Sequence, residues 1–432
     1  MTGDQLPHRV TEIPGPVSRQ LAARLQRVES PNITALHPDP PIFWQDARGA
    51  NVRDVDGNIY VDLTAGFGVT NAGHSNEKVA AAIARQAQQL AHALGDVYPA
   101  EVKVRLLEKL AAVMPPPLEV AILASAGAEA VEAALKTAVI HTGRTGILAF
   151  ENSYHGLTYG ALAVTHRSHF RAPFERQLFG DVHFAQFPAN DASLPGALLR
   201  IDAIIAQAEN GAHPIGCIIV EPIQGRGGII VPPDGFLAEL RKRCDGRRCI
   251  LIFDEIYTGI GRTGYWLAAE KWGVIPHVAV IGKGLSGALP LSAAVGSPAV
   301  MSSWPPSTGE AIHTSTFIGN PIACAAALAQ IEEIERKDLL AHARALGSHI
   351  HKRARAWLEK RLIREVRGVG LLQGVVVDDA ARVVSECLQR GVLLLMEGPA
   401  ADVLALTPPA VITAEQLDYA LDTVELCLRN AA

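Results

Sequence analysis

Short, uninterrupted apolar runs separated by longer amphipathic stretches dominate the middle of this chain. Residues 120–123, 146–150, 217–220, 250–253 and 278–281 are continuous and rich in branched side chains, the pattern of strands buried on both faces. Between them, as over residues 128–139, apolar positions recur at helical spacing. This alternation, from residue 119 to about residue 300, predicts a parallel or mixed sheet covered by helices. Residues 1–40 are rich in proline, with a short helical pattern over 18–28. Further on, residues 52–54 and 59–62 flank Asp56-Gly57-Asn58, a hairpin signal, and helices are expected over 76–90 and 100–113. After Asn320-Pro321 the pattern predicts a helix over 323–335, strands over 366–377 and 392–396, and a last helix over 414–429. The expected organisation is a large central unit, residues 63–321, beside a smaller one built from residues 1–62 and 322–432.

Composition narrows the class. A chain of 432 residues can bury one large core or divide into two or three domains. Lys+Arg 39 against Asp+Glu 44 leaves a formal charge of −5, which argues against a nucleic-acid partner. Cys217, Cys244, Cys249, Cys324, Cys387 and Cys427 are scattered and mostly sit within apolar runs, as in a reduced, intracellular protein. Cys244 and Cys249 lack a second close-spaced Cys or His pair, so no metal site is expected. No apolar stretch reaches 18 residues and the N-terminus is polar, so the expectation is a cytoplasmic protein without a membrane partner.

Candidate chemistry lies at the ends of the apolar runs. One run ends in Asp254-Glu255 and a later one in Gly282-Lys283-Gly284. In an open α/β sheet such ends face the ligand crevice. A lysine there can form an imine with a pyridine-aldehyde cofactor, and a carboxylate can keep the ring nitrogen protonated. Apolar segments and glycines around Lys283 favour partial desolvation, which lowers a lysine pKa as imine chemistry requires. Ser125-Ala126-Gly127-Ala128-Glu129 opens a helix where backbone amides can hold a phosphate; taken alone, an ordinary capped turn explains it better. Ser153-Tyr154-His155-Gly156 offers a ring to stack on a flat cofactor, or a Tyr-His pair in a loop. Glu221-Pro222 places a carboxylate for a substrate amine or a cofactor hydroxyl, or for nearby amides in a turn. Gly259-Ile260-Gly261-Arg262-Thr263-Gly264 spells a dinucleotide fingerprint but does not follow its strand directly, and no acidic residue ends a second strand; a mobile or tightly turned loop is expected instead.

In this order these residues resemble the class III aminotransferases, pyridoxal-phosphate enzymes that include the 4-aminobutyrate and ornithine aminotransferases. The likeness runs from Asp56-Gly57-Asn58 through Ala72-Gly73-His74 to Leu406-Thr407-Pro408-Pro409, and includes the stretch from His313 to Pro321. The resemblance implies a large α/β domain with a mostly parallel seven-stranded sheet and a small α+β domain from both termini. It implies pyridoxal 5'-phosphate held as an imine by Lys283, with Asp254 on the pyridine nitrogen, Gly127 and Ala128 on the phosphate and Tyr154 over the ring. His155, Glu221 and Tyr257 complete the implied cofactor set. Thr316 would reach the phosphate in a neighbouring subunit, which implies a homodimer with shared sites.

Three positions depart from the family pattern. Ala405 stands where many relatives carry an arginine for a substrate carboxylate, Arg226 where many carry glutamate, and Tyr257 where glutamine is frequent. Phe67 and Arg226 are the candidate substrate contacts, and Arg226 could restore the carboxylate grip from another wall or be a rim residue. The expected activity is ping-pong transfer of an amino group from an ω-amino acid or amine to pyruvate or 2-oxoglutarate. A racemase or epimerase on the same scaffold is the alternative.

Overall fold

The computed structural model describes residues 1–36 and 41–429. Its centre is a seven-stranded sheet: β1 (Val120–Ala124), β2 (Gly146–Phe150), β3 (Val182–Ala185), β4 (Ile215–Val220), β5 (Ile250–Asp254), β6 (Val278–Ile281) and β7 (Ser292–Gly296). Across the sheet the order is β1-β7-β6-β5-β4-β2-β3. Only β7 runs antiparallel to its neighbours, so the expected mostly parallel sheet is present.

Its two faces are built by strict alternation along the strands. Ile218, Leu251 and Phe253 pack with Ile201, Ile204, Leu237 and Leu240 from the helices Leu194–Glu209 and Phe236–Asp245. Ile219, Ile252 and Val280 turn the other way, onto Ala130, Ala133, Ala134 and Ala138 of α1 (Gly127–Thr142). Alanines on that face of α1 let it lie close to the sheet. Each large apolar side chain so buried contributes about 1.5–3 kcal/mol. Neither β3 nor β7 stands out in the sequence. β3 is a partly exposed edge strand containing His183, and β7 is made mostly of alanine and glycine, which have low strand preference.

Residues 366–377 form a hairpin rather than one strand: Glu365–Val369 and Leu372–Val376 pair antiparallel, with Gly370 at φ 55° in the turn. Residues 392–396 likewise divide between two sheets. Val392–Leu393 pairs parallel with Val61 and Asp62, while Leu395–Glu397 pairs with Val403–Leu406. A helix that the pattern did not single out, Leu339–Glu359, contains Gly347 because a Cβ there would lie 2.1 Å from the Gly370 carbonyl oxygen.

All six parallel strands bring their C-terminal ends to one edge, where Ser125, Glu151–His155, Glu221, Asp254 and Lys283 follow them. Among the described residues no helix is long and apolar enough to cross a membrane, and all six cysteines are buried and unpaired.

Candidate active site

A cavity of about 550 Å³ opens at that edge, lined by Gly127, Ala128, Tyr154, His155, Glu221, Arg226, Asp254, Tyr257 and Lys283. Its remaining lining is Gly156, at the end of the Ser153-Tyr154-His155-Gly156 motif, and Leu157, Thr158 and Ile256, none of which carried a signal in the sequence. The sheet thus gathers nearly all the predicted cofactor residues in one place.

Asp254 ends β5 at 4 % exposure, with its Oδ2 2.7 Å from His155 Nδ1 and its Oδ1 accepting the Ile256 N–H at 3.1 Å. Two partners leave that carboxylate little freedom to turn. His155 is held in turn by its own N–H, which donates to Thr165 Oγ1 at 2.9 Å. Its Nε2 is buried without a hydrogen-bond partner among the described residues.

Lys283 follows β6 at φ 41°, a left-handed conformation that costs a lysine energy and is often kept at working sites. The flanking glycines have a steric reason. A Cβ on Gly282 would meet Ser292 Oγ at 2.6 Å, and one on Gly284 would meet Asn71 Nδ2 at 2.7 Å. Lys283 is half-buried, with Nζ 4.2 Å from the centroid of the Tyr257 ring. Burial pulls the lysine below its ordinary pKa, against the opposing pull of Asp254, Glu221 and Glu397. The uncharged, nucleophilic amine is correspondingly easier to reach. Tyr257 is itself wedged between loops, since a Cβ on Gly68 or Gly225 would lie 2.6 Å or 2.5 Å from its ring atoms.

Glu221 spends both oxygens on the backbone: Oε1 accepts the Tyr154 N–H and Oε2 the Gly225 N–H, each at 3.0 Å. It therefore fixes the loop that presents the Tyr154 ring, and burial pushes its pKa up to about 7. Glu255 is no solvated turn acid. It is fully buried, accepting the Ala268 and Ala269 N–H groups at 2.9 Å each and the Thr258 hydroxyl. The glycine-rich segment after it is tightly turned and buried. Arg262 there donates to the carbonyls of Leu371 (3.1 Å) and Pro408 (2.6 Å) and to Asn71 Oδ1.

Phe67 and Thr316 fall outside the cavity lining. Phe67 is 50 % exposed on a turn of four residues with positive φ, Ala65 to Gly68. Thr316 is exposed on a segment tied to the chain by Thr314, whose hydroxyl donates to Asp96 Oδ2 at 2.9 Å. A further acidic residue emerges near the site: Glu397, 3 % exposed, with Oε2 3.6 Å from Arg226 Nε. It escapes a sequence reading because it lies past the end of what looks like a single strand.

A phosphorylated pyridine aldehyde fits these residues. Ala126 gives α1 no side-chain cap, so the first amides of a 16-residue helix are available to an anion. Gly127 has no room for a side chain, since a Cβ would meet Ile256 at 2.7 Å. The same cavity holds the Lys283 amine, a fixed carboxylate and an aromatic face. Among the described residues no cluster of His, Cys, Asp and Glu is suited to a metal ion.

Comparison with known proteins agrees with this chemistry. A family model described as aminotransferase class-III matches residues 34–428. An acetylornithine aminotransferase from Methanosarcina mazei is 38 % identical over 387 residues, covering 89 % of this chain and 91 % of its own. A leucine/methionine racemase from Thermococcus litoralis is 36 % identical, covering 90 % of this chain and 91 % of its own. Among solved structures, an amine transaminase from an uncultivated Pseudomonas species in its PLP-bound form superposes with a TM-score of 0.87 at 28 % identity, over 94 % of this chain and 99 % of that one.

Proposed function

This chain belongs to the class III aminotransferases, and from that premise we propose that it moves an amino group from an ω-amino acid or simple amine to pyruvate or 2-oxoglutarate in two half-reactions. The observation that carries the reading is a desolvated Lys283 sharing one cavity with an Asp254 held rigid by His155.

Lys283 is the residue to which the aldehyde of pyridoxal 5'-phosphate would be joined. The pyridine ring, when bound, supplies an electron sink for the carbon that loses its proton. Asp254 would keep the ring nitrogen protonated, and the His155 contact keeps that carboxylate aimed. Gly127 and Ala128 amides would hold the phosphate, and Tyr154 would cover the ring from the loop that Glu221 braces. With the cofactor bound, the Lys283 amine would act as the base that takes and returns the proton of the amine-bearing carbon. A 2-oxo acid would then take up the amino group, with Lys283 moving the proton in the opposite sense.

Arg226, on the cavity wall, is the proposed grip for a substrate carboxylate. A donor panel with and without a carboxylate, run against pyruvate and 2-oxoglutarate, tests this. Arg226→Ala is expected to raise KM for carboxylate-bearing donors about tenfold more than for plain amines, an amount set by one charge-assisted contact. Equal changes for both sets would make Arg226 a rim residue.

The site is completed, in this reading, by a second copy of the chain whose Thr316 reaches the phosphate. The support is an exposed apolar surface containing Leu94, Val97, Tyr98, Ile312 and Phe317, with Phe317 edge-on to His92 at 5.4 Å. Phe317→Asp is expected to convert a sedimenting dimer to monomer and to depress transfer with it. A dimer that survives this change places the shared surface elsewhere.

The racemase among the relatives supports a second reading, inversion of an amino acid on the same scaffold. Loss of optical rotation without any consumption of acceptor is its signature, and strict dependence on acceptor removes it.

A further inference from the structure

The wall that carries Arg226 continues outward as a stack. The Arg226 guanidinium lies 5.4 Å from the Tyr154 ring centroid, Tyr154 meets Phe170 edge-on at 5.6 Å, and the Arg167 guanidinium lies 5.4 Å from the Phe170 centroid. Contacts of these kinds bias where two long side chains point. The stack leaves the two guanidinium charges close enough to disfavour one another.

Charge on this wall does not balance. Glu397 is the acid that acts on both arginines. It sits 3.6 Å from Arg226 Nε, and the two facing atoms, Glu397 Oε2 and Arg226 Nε, have no hydrogen-bond partner among the described residues. Arg167 makes no ion pair among the described residues; its nearest ring contact is Phe170. The other carboxylates of the cavity are committed, Asp254 to His155 and Glu221 to two backbone amides. Two fixed cations thus face one carboxylate, and a bound anion would offset the excess.

We propose that Arg167 is a specificity-determining residue, which with Arg226 forms a two-guanidinium subsite for the terminal carboxylate of a long-chain ω-amino acid. The proposal rests on the reading that Arg226 receives a substrate carboxylate. Chain length enters because Arg226 lines the cavity whereas Arg167 stands beyond Phe170, outside the lining. A carboxylate shared by both therefore lies farther from Lys283 than one held by Arg226 alone. Glu397 is a positioning residue here: its buried charge retains Arg226 while leaving that side chain a third exposed.

The test uses holoenzyme with pyruvate fixed and four donors: β-alanine, 4-aminobutyrate, 6-aminohexanoate and the uncharged-tail hexylamine. Arg167→Met keeps the aliphatic packing against Phe170 and removes the charge. It is expected to raise KM for 6-aminohexanoate roughly tenfold, with far smaller changes for β-alanine and hexylamine and a smaller change in kcat than in KM. Arg167→Lys should recover most of the loss, which a purely structural role would not predict. The proposal is overturned if Arg167→Met shifts 6-aminohexanoate and hexylamine alike, shifts neither, or is not relieved by lysine. Wild-type enzyme that accepts hexylamine but shows no gain from any carboxylate would remove the Arg226 reading as well. A normal wild-type preference with a silent Arg167→Met removes this inference alone.

Discussion

Lys283→Ala is expected to abolish amino transfer and to remove the near-visible absorbance that the wild-type protein, loaded with cofactor, should carry through gel filtration. Loss of the base by itself predicts a fall of about 10²–10⁴ in the chemical step, and loss of the covalent anchor adds to it. The variant should fold. Lys283 makes no ion pair among the described residues, its closest aromatic contact is the Tyr257 ring at 4.2 Å, and burial already disfavours its charge. Circular dichroism of the variant should therefore match wild type while single-turnover transfer disappears. Turnover that persists in a folded Lys283→Ala protein would sink the mechanism.

The second large effect is expected at Asp254. Asp254→Ala removes the charge that would hold a proton on the pyridine nitrogen and strands His155, whose Nε2 already lacks a partner among the described residues, with neither ring nitrogen engaged. The expected loss is about 10²–10³ in kcat, the range for deleting one preorganised electrostatic group. Asp254→Asn separates two contributions, because asparagine can still meet His155 but carries no charge. A rapid-mixing measurement of the amine half-reaction should find Asp254→Asn nearly as slow as Asp254→Ala. If Asp254→Asn runs at the wild-type rate, orientation rather than charge is what Asp254 supplies.

Much of this site is legible in the amino-acid sequence because strand ends in a parallel sheet converge. Continuous apolar runs mark β5 and β6, and whatever follows them must meet at the sheet edge, so Asp254 and Lys283 pair by position alone. Residues acting through tertiary contacts are not legible in that way. Glu221 reads either as a group for a substrate amine or cofactor hydroxyl or as a turn acid bonding nearby amides, and only the fold decides, with its two oxygens occupied by the Tyr154 and Gly225 amides. Glu397 reaches the site only because residues 392–397 divide between two sheets, a break that no hydrophobic period announces. Among the strands, β7 escapes because Ala-Ala-Val carries little strand preference; its burial comes from its neighbours. Gly347 hides a long helix for the opposite reason, since its need for close backbone approach to Gly370 is invisible in one dimension.

The parallel pairing of Val392 and Leu393 with Val61 and Asp62 has a consequence for how the molecule assembles. During synthesis the N-terminal hairpin leaves the ribosome early, with one edge that only a distant segment can cover. Until that segment arrives, the hairpin presents unpaired amides and carbonyls, the condition that invites pairing with another chain. Arg262 reinforces the delay, because its hydrogen-bond acceptors at Leu371 and Pro408 lie 109 and 146 residues further along the chain. The loop that carries Tyr257 can therefore reach its final position only after those later segments have been made, so the cavity takes shape after the strands that frame it.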